Sequence, residues 1–339
     1  MFENSSFADF LPPDNISISP ENFELFFRTL YERQMIWKRR FMDQLPRPWT
    51  KDKILEANKF TNVYRDLDRS SQWQIQNILL DDSLSLKDLI WKLMVYRFFN
   101  CPETFKKGLE FWDNGIPSFD EYNPEEFLRF IKSVRASGQN PFTSAYLIAS
   151  VGSRDTFYAC TVLKALHNKL DTLIHGACTA SRPEMIVDYI KNNLPGAGSF
   201  VAHEFFVDFT YIRRYTKRDD FMKFTQNDFV NVGPGSSTGL RLIYPSLNTL
   251  KKQKQGIYDL RDAAETELQK ISAEMGEPFP FVEFDKDAKK YYISDKCNIT
   301  LHQIEMWLCE YQKYWKMMWS TGKQRSKFVP ITKKSDLVK

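Results

Sequence analysis

Residues 194–198 read Leu194-Pro195-Gly196-Ala197-Gly198 and separate two segments with helical periodicity, 185–192 and 200–208. Glycine lets a backbone turn without a Cβ clash, so the stretch predicts a helix, a tight turn and a second helix. The second helix would begin with amide N–H groups that have no partner inside the helix, at its positive end. Such a helix end binds anions, and the stretch therefore predicts a phosphate-binding turn.

Two interpretations of this turn remain open. The first is an ordinary turn of the Schellman type between two helices. The second is a grip on the backbone phosphate of duplex DNA, a contact that carries no sequence information. For the second interpretation, the predicted phosphate-binding residues are Leu194, Gly196, Ala197 and Gly198.

Composition favours a mainly helical fold. The 339 residues include 28 Phe, 15 Tyr and 8 Trp but only 13 Gly, which argues for bulky helix faces rather than many β turns. A small β-hairpin is predicted at 281–284 and 291–294. The predicted organisation begins with a loose N-terminal segment (1–20). One large helical catalytic unit of two packed lobes follows (21–320), and it contains the helical hairpin at 185–208. A basic tail ends the chain (321–339).

Charge and cysteine usage exclude several classes of protein. A net charge of +4 excludes a strongly basic tail protein, and clusters such as Lys38-Arg39-Arg40 become a DNA footprint only if they fold onto one side. The five cysteines form no CxxC pair and the four histidines show no ligand spacing, so reduced thiols and no metal site are expected. No apolar stretch is long enough to span a bilayer and no signal peptide begins the chain, so we expect a cytoplasmic protein without membrane partners.

A polar stretch at residues 60–69 is the second candidate site. It falls in a predicted long helix over 54–80, where Asn62, Arg65 and Arg69 would share one face with Asp68 nearby. One interpretation is a surface salt-bridge pair; the other is a phosphate clamp of two arginines. Upstream, Trp49 is placed either to stack on a base or to pack in the core.

A third stretch, residues 227–239, carries glycines and hydroxyls. Gly233 and Gly235 could form a backbone nest for phosphate oxygens, with a structural turn as the competing explanation. No Gly-Lys-Ser/Thr follows, so the stretch is not a Walker loop.

Together these stretches resemble the α-glutamyl/putrescinyl-thymine pyrophosphorylase family, also called amino acid:DNA transferases. That family is a branch of the helix-hairpin-helix DNA glycosylase superfamily, related to the helical domain named after 5-hydroxymethyluracil DNA kinases. The resemblance rests on five sequence motifs: Pro48-Trp49-Thr50-x-Asp52, residues 60–65 with Asp68-Arg69, residues 194–198 with Phe200-x-Ala202 and Asp208-x-x-Tyr211, Gly233-Pro234-Gly235 and Leu308-Cys309-Glu310-Tyr311.

The resemblance implies a helix-hairpin-helix glycosylase-like fold and a transferase. Pyrophosphate on a hypermodified thymine in double-stranded phage-type DNA would be displaced by an amino acid or putrescine, with the nucleotide flipped into a pocket. Implied catalytic residues are Arg65, Asp68, Arg69 and Asp208. Implied substrate-binding residues are Trp49, Asp52, Asn62, His203, Glu204, Tyr211 and Asp228. The chain departs from the family at His203-Glu204, where Tyr-Gln is expected.

Other activities stay open at this point. A DNA glycosylase would use the same turn and an aspartate to release a base, and a non-catalytic protein would bind duplex DNA without turnover. A 5-hydroxymethyluracil kinase is disfavoured by the missing Walker loop. No cofactor is implied with certainty; a divalent metal at the pyrophosphate and the identity of the amine are left open. A phage-encoded protein would act in the host cytoplasm.

Overall fold

The computed structural model describes residues 17–143, 150 and 152–319. The first six helices are α1 (Pro20–Trp37), α2 (Lys53–Ala57), α3 (Arg69–Gln74), α4 (Leu86–Phe99), α5 (Pro102–Gly108) and α6 (Pro124–Ala136). The later helices are α7 (Arg154–Thr156), α8 (Leu163–Thr179), α9 (Pro183–Asn193), α10 (Ser199–Tyr215), α11 (Pro234–Ile243), α12 (Leu250–Met275) and α13 (Leu301–Met318). The strands are β1 (Phe281–Asp285) and β2 (Lys290–Ser294).

Short stretches of tighter or wider helix adjoin several of these elements. Lys38–Met42 continues α1, Ile75–Leu79 continues α3 and Phe157–Val162 joins α7 to α8, each with the wider π-helical spacing. Arg65–Leu67 is a 3₁₀ turn.

The chain divides into two compact units. The first unit takes Met1–Asp68, Val230–Glu283 and Tyr291–Lys339. Its apolar core is built by α1, α11, α12 and α13, and Phe26 of α1 packs edge-on against Tyr311 of α13 with ring centroids 5.5 Å apart. Such an edge-to-face pair adds to the free energy gained from burial.

The second unit takes Arg69–Phe229 and Phe284–Lys290. Its core is rich in aromatic rings, with Trp73 stacked on Tyr96 at 4.6 Å and Phe99 stacked on Phe142 at 4.8 Å between ring centroids. The α4 side chains from Leu89 to Phe99 are all buried, so this helix forms the centre of the unit.

A mainly helical fold with one small antiparallel hairpin is confirmed. Among the described residues, no helix is both long and apolar enough to cross a membrane. The predicted N-terminal segment and basic tail fall mostly on 1–16 and 320–339, which lie outside the described residues, and Pro20 already belongs to α1.

The predicted long helix over 54–80 is wrong. Helix α2 ends at Ala57, and the chain then has no helix from Asn58 to Tyr64 and bends at Val63 and Tyr64 before the 3₁₀ turn at Arg65–Leu67. The side chain of Asn62 donates to the Leu67 carbonyl at 2.8 Å, which closes a local loop in place of a helical turn. Asparagine competes with helix formation in this way, because its amide offers the backbone another partner.

Candidate functional site

The turn at 194–198 lies between two helices, as predicted. Helix α9 ends at Asn193 and α10 begins at Ser199, and the two helices pack together. Gly196 takes the left-handed conformation with φ +79°, which glycine adopts without a Cβ penalty. The turn is closed by the Ala197 amide, which donates to the Leu194 carbonyl at 3.1 Å.

Two of the four predicted phosphate-binding residues of this turn are exposed and two are buried. Leu194 and Ala197 are 3% and 4% exposed and anchor the turn in the core, while Gly196 and Gly198 lie at the surface. Gly198 caps α10 through its backbone, and a Cβ added to it would meet no atom within 4 Å. The N-terminus of α10 is therefore open, and Ser199 at its first position is exposed.

The polar stretch at 60–69 forms a network inside the first unit. Asp68 Oδ1 accepts hydrogen bonds from the backbone amide of Asn62 at 2.9 Å and from its side-chain Nδ2 at 3.1 Å. Asp68 Oδ2 pairs with Arg65 Nη1 at 3.1 Å. Arg33 of α1 donates to Asn62 Oδ1 at 2.7 Å. Asn62 thus links Arg33 to the Asp68 carboxylate, which also pairs directly with Arg65, and these contacts join loop residues to α1 rather than following one helix face.

Burial sets the protonation behaviour of this network. It raises the pKa of the Asp68 carboxyl above its ordinary value, partly offset by the Arg65 guanidinium. It also lowers the pKa of Arg33 to about 10, against the opposing effect of Asp68. Near neutral pH an arginine with this pKa stays charged, so the network holds two guanidinium groups around one carboxyl group.

The two arginines of the predicted clamp lie in different units. Arg65 belongs to the first unit and Arg69 opens α3 in the second. The exposed Arg69 pairs with Glu103 of α5. The expectation that Asn62, Arg65 and Arg69 share one helix face is wrong, because no helix joins them.

Trp49 and Asp52 lie just before α2 in the first unit. The indole nitrogen of Trp49 donates to the Leu45 carbonyl at 2.8 Å. Asp52 Oδ1 caps α2 by accepting from the amides of Ile54 and Leu55, and Asp52 Oδ2 accepts from the Tyr314 hydroxyl at 2.7 Å. Asp52 therefore fixes α2 against α13, which accounts for an aspartate here without a substrate.

Asp208 lies at the centre of the second unit and is fully buried. Arg97 of α4 donates from Nε to Asp208 Oδ2 at 2.6 Å and from Nη2 to Asp208 Oδ1. Arg97 Nη1 also lies 3.7 Å from Glu204 Oε2, and Arg97 Nη2 donates to Gln74 Oε1 at 3.2 Å. Burial raises the pKa of Asp208, while the Arg97 charge opposes that shift. This geometry is that of a buried ion pair within the core.

The other predicted substrate-binding residues do not form one surface within the second unit. His203, Glu204 and Tyr211 lie on α10 and are at most 4% exposed. Asp228 is exposed, and its Oδ2 accepts from the Thr225 amide and from the Thr225 hydroxyl, each at 2.7 Å. Their predicted roles stay predictions, which the burial of the α10 residues does not favour.

Residues 233–239 begin a helix instead of forming a phosphate nest. Gly233 is the N-cap of α11, and its amide donates to the buried Ser236 hydroxyl at 3.0 Å. A Cβ added to Gly235 would lie 2.9 Å from Cys309 Sγ, and one added to Gly239 would lie 2.3 Å from the Leu308 carbonyl oxygen. These glycines therefore permit the close approach of α11 and α13, which is the structural explanation left open by the sequence.

Arg33 and Arg97 are the polar residues that the sequence analysis missed. Arg97 carries a readable signal, since it is a charge inside the otherwise apolar run at 93–99 of α4. A fully buried charge needs a partner, so such a position predicts an ion pair. Arg33 has no comparable signal, because α1 contains other charged residues at its surface. Among the described residues, no cluster of three or more His, Cys, Asp or Glu is arranged to hold a metal ion.

Comparison with known proteins identifies relatives of this chain. Residues 20–324 match the family model described as "5-hmdU DNA kinase, helical domain". The chain is 27% identical over 345 residues to a protein named 5-hmdU DNA kinase from Bacillus phage SP10. That alignment covers 93% of this chain and 50% of the relative, so the chain spans about half the length of the relative. No solved structure matches.

These comparisons correct the expected activity. An amine transferase that releases pyrophosphate is wrong, because the relative is named a kinase. They give no support to the glycosylase alternative or to an amine co-substrate. The relation to the helical domain named after 5-hydroxymethyluracil DNA kinases is confirmed, whereas placement in the transferase branch is not supported. The chain belongs to the family defined by the helical domain of 5-hmdU DNA kinases.

Proposed function

We propose that this chain acts in the phosphorylation of 5-hydroxymethyl-deoxyuridine in DNA, and that its part is to hold the DNA. The observation that carries the proposal is the match of residues 20–324 to the helical domain of such kinases. The kinase relative from phage SP10 supports the same substrate class.

The reaction defines what a DNA-holding part must do. In a kinase reaction the hydroxymethyl oxygen attacks the terminal phosphorus of a nucleoside triphosphate, the bond to the bridging oxygen breaks and nucleoside diphosphate leaves. The hydroxyl proton passes to a base. There is little covalent chemistry for the protein to do, so positioning of the DNA strand determines much of the rate.

We assign the DNA backbone contact to the turn at 194–198. It combines a glycine with positive φ, an exposed Gly198 and an open helix N-terminus of the 17-residue α10. Backbone amides at such an end can donate to a phosphate oxygen, and the helix dipole favours the negative charge. The contact fixes the strand without reading its sequence, so recognition of the hydroxymethyl group must come from other residues.

Binding to three duplexes of one sequence tests the proposal. The duplexes carry thymine, 5-hydroxymethyluracil or its phosphate ester at one position, and affinity is measured by fluorescence anisotropy at fixed salt. We expect the hydroxymethyl duplex to bind about fivefold more tightly than the thymine duplex, the effect of one hydrogen bond to the added hydroxyl. Equal affinity for all three duplexes would contradict a role in handling this modified base.

A single substitution separates DNA binding from folding at the turn. Ser199→Glu places a carboxylate at the first position of α10, where it should stabilise the helix by about 0.3–1 kcal/mol. The same carboxylate repels a phosphate, so duplex affinity should fall about tenfold and the salt slope should drop by about one. Anisotropy titrations at several salt concentrations and urea denaturation measure the two effects.

The matched control is Ser199→Gln, which has nearly the same shape and no charge. We expect it to bind duplex DNA close to the level of the original protein. If Ser199→Glu binds DNA as well as Ser199→Gln does, the turn does not contact a phosphate.

A further inference from the structure

Three arginines of the first unit line one small cavity. Arg33 comes from α1, Arg40 from the π-helical stretch after α1 and Arg47 from the loop before α2, and Trp49 forms part of the same wall. The cavity has a volume of about 50 Å³. The basic cluster Lys38-Arg39-Arg40, which would form a DNA footprint only if such clusters fold onto one side, contributes Arg40 to this cavity.

The indole of Trp49 holds two of these guanidinium groups. The Cζ atom of Arg40 lies 4.9 Å and that of Arg47 lies 5.4 Å from the ring centroid. Arg40 also lies 4.7 Å from the centroid of the exposed Phe41 ring. A guanidinium that stacks through its face directs its N–H donors outward in its own plane, which suits two-point binding of an oxyanion.

Three guanidinium groups and one carboxylate group lie among the residues that line the cavity. Burial and the neighbouring Arg47 lower the pKa of Arg40, so the two cations lie close enough to repel one another. Asp68 and Glu310 favour the charged form of Arg33, and Arg40 opposes it more weakly. The carboxylate that lines the cavity, Glu56, is paired with Lys53 at 3.2 Å. An anion held among the three arginines would relieve this repulsion.

Size and chemistry select the ligand class. A cavity of about 50 Å³ holds a few waters or one small tetrahedral group and is too small for a nucleoside. Planar guanidinium groups match the oxygen geometry of phosphate in particular. Trp49 is already contacted by two arginines, so its role here is to orient them and not to stack on a base.

We propose that Arg40 and Arg47, both oriented by Trp49, form with Arg33 a binding site for one phosphate group. The phosphate belongs to a nucleotide or to a DNA strand, and the chemistry of the cavity is the same for both. This site lies in the first unit, whereas the turn at 194–198 lies in the second, and the inference does not depend on the proposed function.

The test compares the original chain with Arg40→Gln/Arg47→Gln by isothermal titration calorimetry. The probes are inorganic phosphate, ATP and a single-stranded oligonucleotide without terminal phosphates. We expect at least one probe to bind, and the double variant to bind that probe about tenfold or more weakly, since two charge-assisted contacts are lost. Binding of ATP alone identifies a nucleotide site, and binding of the oligonucleotide identifies a DNA site.

A charge-matched control removes two positive charges elsewhere in the same unit. Lys251→Gln/Lys252→Gln lies on exposed positions of α12 and should bind the probe as the original chain does. Arg40→Lys/Arg47→Lys keeps the charge but loses the planar donors, and should fall between the original chain and the glutamine variant. The inference is overturned if no probe binds, or if the glutamine variant and the α12 control bind alike. Circular dichroism confirms that each variant is folded.

Discussion

Replacing Arg97 with methionine should lower the free energy of unfolding by about 3–5 kcal/mol. The substitution leaves the fully buried Asp208 carboxylate without the guanidinium that donates to both of its oxygens, and with Glu204 close by. Methionine fills similar space, so the loss reports the unpaired charge and not a cavity. Urea denaturation measures the total effect, and hydrogen exchange in peptides from α4 and α10 locates it.

The size of this loss should depend on pH. Without Arg97 the pKa of Asp208 in the folded chain rises further above its unfolded value of about 3.9, since burial already raises it. When the folded pKa of a carboxyl group lies above its unfolded pKa, the group stabilises the fold at low pH. This contribution is lost as the pH increases from the unfolded to the folded pKa. The difference in free energy of unfolding between the variant and the original chain should therefore be larger at about pH 8 than at about pH 5.

Two controls make the Arg97 result specific. Arg135→Met breaks a bidentate pair with Asp155 whose arginine is 42% exposed, and it should cost only about 0–1 kcal/mol. Arg97→Met/Asp208→Asn removes both charges and should recover part of the stability. A loss at Arg97 no greater than that at Arg135 would show that the ion pair is not a major support of this core.

The regular helices of the first unit were predictable because local signals agree there. Helix α12 runs from Leu250 to Met275, with Thr249 as N-cap and Gly276 in the left-handed conformation after its end. The start of α13 is fixed by a capping box in which Thr300 and Gln303 satisfy each other's backbone amides. Periodicity and helix caps depend only on residues close together in the chain, so a single sequence is enough to predict where these helices begin and end.

Residues 58–68 could not be predicted because distant contacts determine their path. The Thr61 amide donates to Glu310 Oε2 at 3.3 Å, and Arg33 donates to Asn62 Oδ1. These partners are 249 and 29 residues away along the chain. The same limit applies to the candidate sites, since Arg97 and Asp208 are 111 residues apart. The turn at 194–198 was predictable because its glycines and both flanking helices are contiguous.

Gly239→Ala should destabilise the chain by about 1–3 kcal/mol, although alanine is the better helix former. Its Cβ would lie 2.3 Å from the Leu308 carbonyl oxygen and 3.0 Å from the Leu308 carbonyl carbon. These are backbone atoms of α13, so relief requires the two helices to separate. Because α11 and α13 share the core of the first unit, that separation would also loosen the packing around it.

A graded series of glycine substitutions isolates this steric effect. Gly176→Ala, inside α8, meets no atom within 4 Å and should stabilise the chain by about 0.5–1 kcal/mol. Gly235→Ala meets Cys309 Sγ at 2.9 Å, and this side chain can shift, so its effect should lie between the other two. Urea denaturation of the three variants gives the order. If Gly239→Ala stabilises the chain as Gly176→Ala does, close approach of α11 and α13 is not the reason for glycine at this position, and a ligand at the start of α11 would again need to be considered.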